Sequence, residues 1–196
     1  MNGTGFADLD DPYEHSAELG GPWVRNPATP DTRWYLINDR CHCGEPGAVY
    51  ASGTPANANY YVECDYIIFS DIVGAGLTAR QSTSDLTMYL TRYESGAYLL
   101  AKFVAGAYTW LGGYTINHVG TTHKLRLTVN GTTISVDVDG VTRISVTDSS
   151  IAAAGKAGLT AGAANDAGTG KHIDNFVAVD GAAAVTIRSN VFGVIG

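Results

Sequence analysis

The chain has 196 residues, 45% hydrophobic and only 16% charged, with 24 Gly against 6 Pro, a composition that excludes a disordered polymer and argues against a helical bundle. Its formal charge of −7, with 12 scattered Lys and Arg, excludes a nucleic-acid partner, which would need clustered cations along a phosphate backbone. No apolar run approaches the ~20 residues of a membrane span, and the length suits one β-rich domain with a full core.

Residues 1–16 form a polar, acidic lead without the basic and apolar regions of a signal peptide, so synthesis in the cytosol is expected. In that compartment Cys41, Cys43 and Cys64 are three reduced thiols, and "NGT" at Asn2 and Asn130 marks a chain start and a turn rather than glycosylation. The stretch "LGGPWVRNPATPDTRWYLIND" reads as a first edge strand, with Trp23 capping a core and Pro22, Pro27 and Pro30 blunting pairing. Next come "GAVYAS", "YYVECDYIIFSDI", "GAGLTARQS", "LTMYLTRYE", "AYLLAKFVA" and "YTWLGGYTI", at spacings of roughly 8 to 12 residues and bounded by Gly, Asn, Ser or Asp. From Lys124 to Asp148 the apolar residues Leu125, Leu127 and Val129 alternate with polar ones, as in a half-buried strand. Asn130-Gly131 then predicts a type I′ turn pairing Val129 with Thr132 and bringing Ile134, Val136 and Val138 inward. A two-residue loop at Asp139-Gly140 would break that parity, so a three-residue loop with Gly140 left-handed is expected to put Ile144 and Val146 inward. "IAAAGKAGLTAG", the loop "AANDAGTGK" and the strand "HIDNFVAVD" complete a domain over 17–180, and 181–196 is a C-terminal strand or docking tail. One-sided antiparallel strands need a second sheet over the apolar face, so the expected fold is all-β, a two-sheet antiparallel sandwich.

The order Leu19-Gly20…Trp23, "DYIIF", "GLTAR", "YLTRYESGAYLLAK", "HKLRLTVNGTTISVDVDG", "VTDSSIAAAGKAGL" and "HIDNF" resembles the concanavalin A-like lectin/glucanase jelly roll. It is similar to the laminin-G-like variety of glycan-binding modules and of phage tail and capsid surface proteins, over about residues 17 to 180. That resemblance implies a non-enzymatic virion surface protein, a head decoration, cement or tail-associated module, made in the host cytoplasm. Its partners would be other virion proteins or copies of itself, with a cell-surface glycan as a further ligand. The alternatives are a soluble carbohydrate-binding module or glycoside-acting enzyme, and a bacterial structural protein of a surface assembly.

Glucanases of this family carry E-x-D-x-x-E on one strand, and Glu63-Cys64-Asp65 matches the first half, with Ile68 where the third acid would stand. A retaining glycosidase needs two carboxylates about 5 to 5.5 Å apart, so no catalytic residue is assigned. Arg80, Tyr89 and Tyr93 alternate with Leu77, Ala79, Met88 and Leu90 and are expected on the open sheet face, where relatives hold ligand. Their rings would stack on sugar and the guanidinium would donate to hydroxyls. The competing expectation is that Arg80 pairs with Asp65 and the tyrosines cover the sheet. Cys41, His42 and Cys43 do not complete a zinc set, because His42 points away from the two thiols and no second ligand pair is present. Calcium is the one ion the resemblance suggests, with Asp148, Asp166 and Asp174 as candidates, against turn-capping by Asp148 and hairpin closure by Asp174. In the tail, Val185, Ile187, Val191, Phe192, Val194 and Ile195 are expected to meet another chain, the alternative being pairing within the same sandwich.

Overall fold

The structure is a computed structural model in which residues 16–17, 21–29, 34–37, 40–51, 55, 57–72, 74–164, 168–180 and 186–188 are described. Its strands are β1 (Ser16–Ala17), β2 (Gly21–Arg25), β3 (Trp34–Ile37), β4 (Arg40–Cys43), β5 (Gly47–Ala51), β6 (Tyr60–Ile68), β7 (Ala75–Gln81) and β8 (Met88–Glu94). They continue as β9 (Ala97–Val104), β10 (Ala107–Thr115), β11 (Thr121–Asn130), β12 (Thr133–Val138), β13 (Val141–Thr147), β14 (Lys156–Ala161), β15 (Lys171–Asp180) and β16 (Thr186–Arg188). One sheet, the front, runs β1-β2-β5-β14-β7-β8-β9-β10; the other, the back, runs β13-β12-β11-β6-β15-β4-β3. Every pairing is antiparallel, and the architecture is the concanavalin A-like jelly-roll sandwich.

The alternation in β11 and β12 buries Leu125, Leu127, Val129, Ile134, Val136 and Val138 as expected. The two turns differ from expectation by one residue each. Asn130 pairs with Thr133, so the loop is Gly131-Thr132 with Gly131 left-handed, and Val129 faces Ile134. At the second turn Val138 pairs with Val141, leaving Asp139-Gly140 as the two-residue loop, both at positive φ as a type I′ turn requires. Parity is restored inside the hairpin by a bulge between Val136 and Asp137 rather than in the loop.

The core lies between the sheets. Back-sheet Trp34, Tyr60, Val62, Cys64 and Tyr66 meet front-sheet Leu77, Ala79, Tyr89, Tyr93 and Leu159 in one buried cluster. Burial of each large side chain contributes roughly 1.5–3 kcal/mol, provided its polar atoms find partners. Tyr66 meets that condition across the layers: its hydroxyl donates to the Ala75 carbonyl at 2.5 Å and accepts from the Tyr93 N–H at 3.1 Å. A smaller cluster of Ala48, Met88, Leu90, Leu99 and Ala101 lies on the opposite, outer face of the front sheet, with Leu86 and Phe103 against it.

The segment Thr186–Arg188 pairs with Val177–Val179 of β15 in its own back sheet, so here the backbone takes the intramolecular alternative. The backbone edge of Ile187 toward β15 is thus taken within its own sheet. Val185, Val191, Phe192, Val194 and Ile195 lie outside the described residues.

Candidate functional site

The register of β7 and β8 decides where the expected sugar contacts lie. Ala79 pairs with Tyr89 and Leu77 with Thr91, and directly paired residues share a face, so Tyr89, Thr91 and Tyr93 follow Leu77 and Ala79 into the core. Tyr89 and Tyr93 are fully buried, and Met88 and Leu90 take the outer face instead. Their hydroxyls are engaged: Tyr93 donates to the Ile116 carbonyl at 2.9 Å and Tyr89 to the Asp148 carboxylate at 2.7 Å. Burial, reinforced by the bond to Asp148, pushes the Tyr89 phenol up to about 12. These two side chains are core posts, a correction to their placement on an open face.

Arg80 is also misplaced by simple alternation. A bulge sets Ala79 and Arg80 opposite Ala157 alone, with Gln81 facing Lys156 and Thr78 facing Gly158, and Arg80 takes φ 49°. Its guanidinium is buried and donates to three carbonyls: Ala58 at 2.9 Å, Ile151 at 2.6 Å and Gly131 at 2.9 Å. The guanidinium is therefore not on the open face, a correction to its expected placement, and it does not pair with Asp65; Arg80 ties together loops from both sheets.

Glu63 and Asp65 do share the outer face of the back sheet, each held by a cation on β11. Arg126 reaches Glu63 with two nitrogens at 2.7 and 2.6 Å while lying over the Tyr61 ring, and Lys124 Nζ is 2.5 Å from Asp65. Asp65 also accepts from Asn175 at 2.7 Å. Cys41, Cys43 and Cys64 are buried free thiols, and burial raises the pKa of all three, that of Cys43 to about 12. His42 takes the other face and stacks on His172 with centroids 5.0 Å apart.

Of the calcium candidates, Asp148 accepts from Lys102 at 2.5 Å, from Tyr89, and from the Ser150 N–H at 2.9 Å. Burial opposes its ionised form, but the bonds from Lys102, Ser150 and Tyr89 outweigh that and hold its pKa well below the usual carboxylate range. Asp174 sits at a bulge within β15 beside left-handed Asn175, not at the end of a hairpin. Asp166 is outside the described residues; among those described, no group of three His, Cys, Asp or Glu side chains is placed to hold a metal ion.

Among the described residues the most exposed ring surface lies on β10, one edge of the front sheet. Trp110 is 62% and Tyr108 45% exposed. Being two residues apart they share a face, the outer one, because Trp110 pairs with Ala101 and Tyr108 with Phe103. Small residues lie under the indole: Ala101 opposite it, and Gly113, where a Cβ would come within 3.2 Å of Trp110 Cζ2. Phe103 meets Tyr108 edge-on at 5.3 Å, extending the aromatic surface. Arg92, paired with Leu99 in the row of Gly113, lies on the same outer face two strands from β10 and is bridged to Glu94 at 2.8 Å. Sequence pattern placed "YTWLGGYTI" on a strand, yet the outward face of Trp110 depends on its register against β9, which pattern alone does not reveal.

No protein-family profile and no curated protein sequence matches the chain. Solved structures do match in fold. Carbohydrate binding module CBM66 from Bacillus subtilis aligns with a TM-score of 0.62 at 16% identity, over 83% of this chain and 93% of that one. A prokaryotic beta-1,3-1,4-glucanase (lichenase) derived from a mouse hindgut metagenome aligns with a TM-score of 0.59 at 11% identity, over 90% and 98%. Sheep galectin-11 in complex with glycerol gives 0.51 at 10% identity, over 69% and 98%.

Proposed function

We propose that this chain is a non-catalytic glycan-binding module whose sugar-contacting surface is the outer face of β9 and β10, with Trp110 and Tyr108 as stacking rings and Arg92 as hydroxyl donor. The observation that carries this reading is the exposure of Trp110 over Ala101 and Gly113. A large ring held on small residues offers one π-face to a ligand, and pyranose C–H faces pack on such rings while hydroxyls seek fixed donors. The fold neighbours named as a carbohydrate-binding module and a galectin make a sugar the ligand of choice for this surface.

The same reading takes the carboxylates of β6 as structural. Hydrolysis of a glycosidic bond needs one carboxyl as acid and a second as nucleophile or base. Glu63 and Asp65 are instead each committed to a cation, and Ile68 stands where the glucanase pattern has its third acid. Location on a virion surface rests on the sequence resemblance alone and is not needed for glycan binding. A glycan array probed with the wild-type chain and with Trp110→Ala tests the proposal: wild-type hits that vanish in the variant support it. An array without hits, or hits indifferent to Trp110→Ala, overturns it.

A further inference from the structure

A second region of the front sheet combines backbone strain, close glycine packing and uncompensated polar atoms. The bulge at Ala79-Arg80, with Arg80 left-handed, puts Gln81 on the same face as Thr78, whose hydroxyl donates to Gln81 Oε1 at 2.7 Å. Only glycine fits beneath: a Cβ at Gly158 would lie 2.6 Å from that oxygen and 2.3 Å from the Val49 carbonyl oxygen. A Cβ at Gly155 would lie 2.5 Å from the Arg80 carbonyl carbon. The facing wall is the 82–87 turn, closed by Ser82 N–H to the Thr87 carbonyl at 2.8 Å. Asn26 holds this turn by donating to the carbonyls of Ser82 and Asp85 at 3.0 and 3.1 Å. Between that turn and the 151–156 segment lies a cavity of about 480 Å³, within the range of small-molecule sites. Gln81, Asp85, Thr87, Ile151, Gly155 and Lys156 line it.

Gln81 is completely buried, and among the described residues its Nε2 has no hydrogen-bond partner; the buried Oδ1 of half-buried Asp85 has none there either. A buried donor and a buried acceptor left unmatched are each destabilising, so both, in two residues that line one small cavity, need an explanation. Strained bulges recur where a side chain is re-aimed toward a ligand. We propose that this cavity binds one neutral sugar residue through adjacent hydroxyls, one accepting from Gln81 Nε2 and its neighbour donating to Asp85 Oδ1. A hydroxyl suits both groups, because it can accept from an amide as well as donate to a carboxylate. Both atoms lie beneath the cavity surface, so engagement turns the Gln81 amide and the Asp85 carboxylate about their last torsions, broad and soft ones, the first at the expense of the Thr78 bond. The site is three strands from Trp110, roughly 14 Å, so one ring cannot touch both.

The choice of a sugar as ligand rests on the glycan-binding reading, but the test separates the two. Isotope-labelled protein is titrated with D-glucose, D-galactose and D-fructose, in wild-type, Gln81→Leu, Asp85→Asn and Trp110→Ala forms. The amide spectrum reports folding of each variant. The expected result is that at least one monosaccharide shifts the Gln81 side-chain amide and the 82–87 resonances. Affinity should fall about 10-fold or more in Gln81→Leu and Asp85→Asn and stay unchanged in Trp110→Ala. No shift in this region at about 100 mM sugar overturns the pocket whatever the glycan array shows. Binding lost in folded Trp110→Ala but kept in folded Gln81→Leu and Asp85→Asn also overturns it and leaves the β10 surface standing.

Discussion

Arg80→Ala separates a structural clamp from a sugar contact at the position where sequence and structure disagree most. The substitution removes three charge-assisted bonds, to the carbonyls of Ala58, Ile151 and Gly131. Bonds to a charged donor contribute roughly 1.5–3 kcal/mol each, but only the Ile151 contact is fully buried and the other two carbonyls can regain water. Counting the buried bond near the top of that range and the others near half a kcal/mol gives a loss of about 3–4 kcal/mol. Against a typical total of 5–15 kcal/mol, that is a large fraction of the stability. Arg80→Gly makes the same deletion but accepts φ 49° without strain, and should be more stable than Arg80→Ala by about 1 kcal/mol. Urea unfolding followed by far-ultraviolet circular dichroism measures both differences, with glycan binding assayed below the transition. A midpoint unchanged in Arg80→Ala, with binding lost, would refute the clamp and restore the open-face placement.

Burial brings the Lys171 amine down to about 8, well below its unfolded value, so its contribution to stability is complete above the unfolded pKa and is lost as pH falls through about 8. The melting temperature of wild type relative to Lys171→Met should therefore rise between about pH 8 and 10, and a flat difference would contradict this. His118 stacks on His123 at 3.6 Å and shares a 2.9 Å bond with the Tyr98 hydroxyl; burial, then His123, lowers its pKa. Its contribution is present above the ordinary value near 6.5 and is lost as pH falls through the lower folded value, so His118→Gln should flatten the acid side of the stability curve below about pH 6.5. An unaltered acid slope would count against that assignment. Reducing-end release from β-glucans should stay at the buffer blank for wild type and for Glu63→Gln; activity that the substitution removes would make Glu63 catalytic.

Strand identity was legible because the period of 2 persists through "KLRLTVNGTTISVDV", where polar and apolar residues differ sharply. Face assignment failed in β8, because "MYLTRYE" is apolar or aromatic on both sides and Met88 and Leu90 are as buried as Tyr89 and Tyr93. Parity there is set by pairing with β7, information absent from the strand itself. Two bulges, at Ala79-Arg80 and between Val136 and Asp137, shift register by one residue and reverse the face of the residues beyond them. Glu63 and Asp65 were placed correctly on one polar face, but their partners Arg126 and Lys124 come from a strand some sixty residues later in the chain. The exposure of Trp110 depends on its place at the sheet edge, a property of strand order.

Tryptophan fluorescence tests the central claim most directly, since of the three tryptophans Trp23 and Trp34 are buried and only Trp110 is exposed. Acrylamide quenching of the wild-type chain should report mainly Trp110, and a glycan that binds should shield it in a saturable way while shifting the emission to the blue. Trp110→Ala should abolish the shielding and weaken binding of the same glycan by roughly 1 kcal/mol or more, with the fold intact. Undiminished quenching at saturating glycan, with binding verified independently, would show that sugar does not cover the indole and would contradict the assignment of this surface.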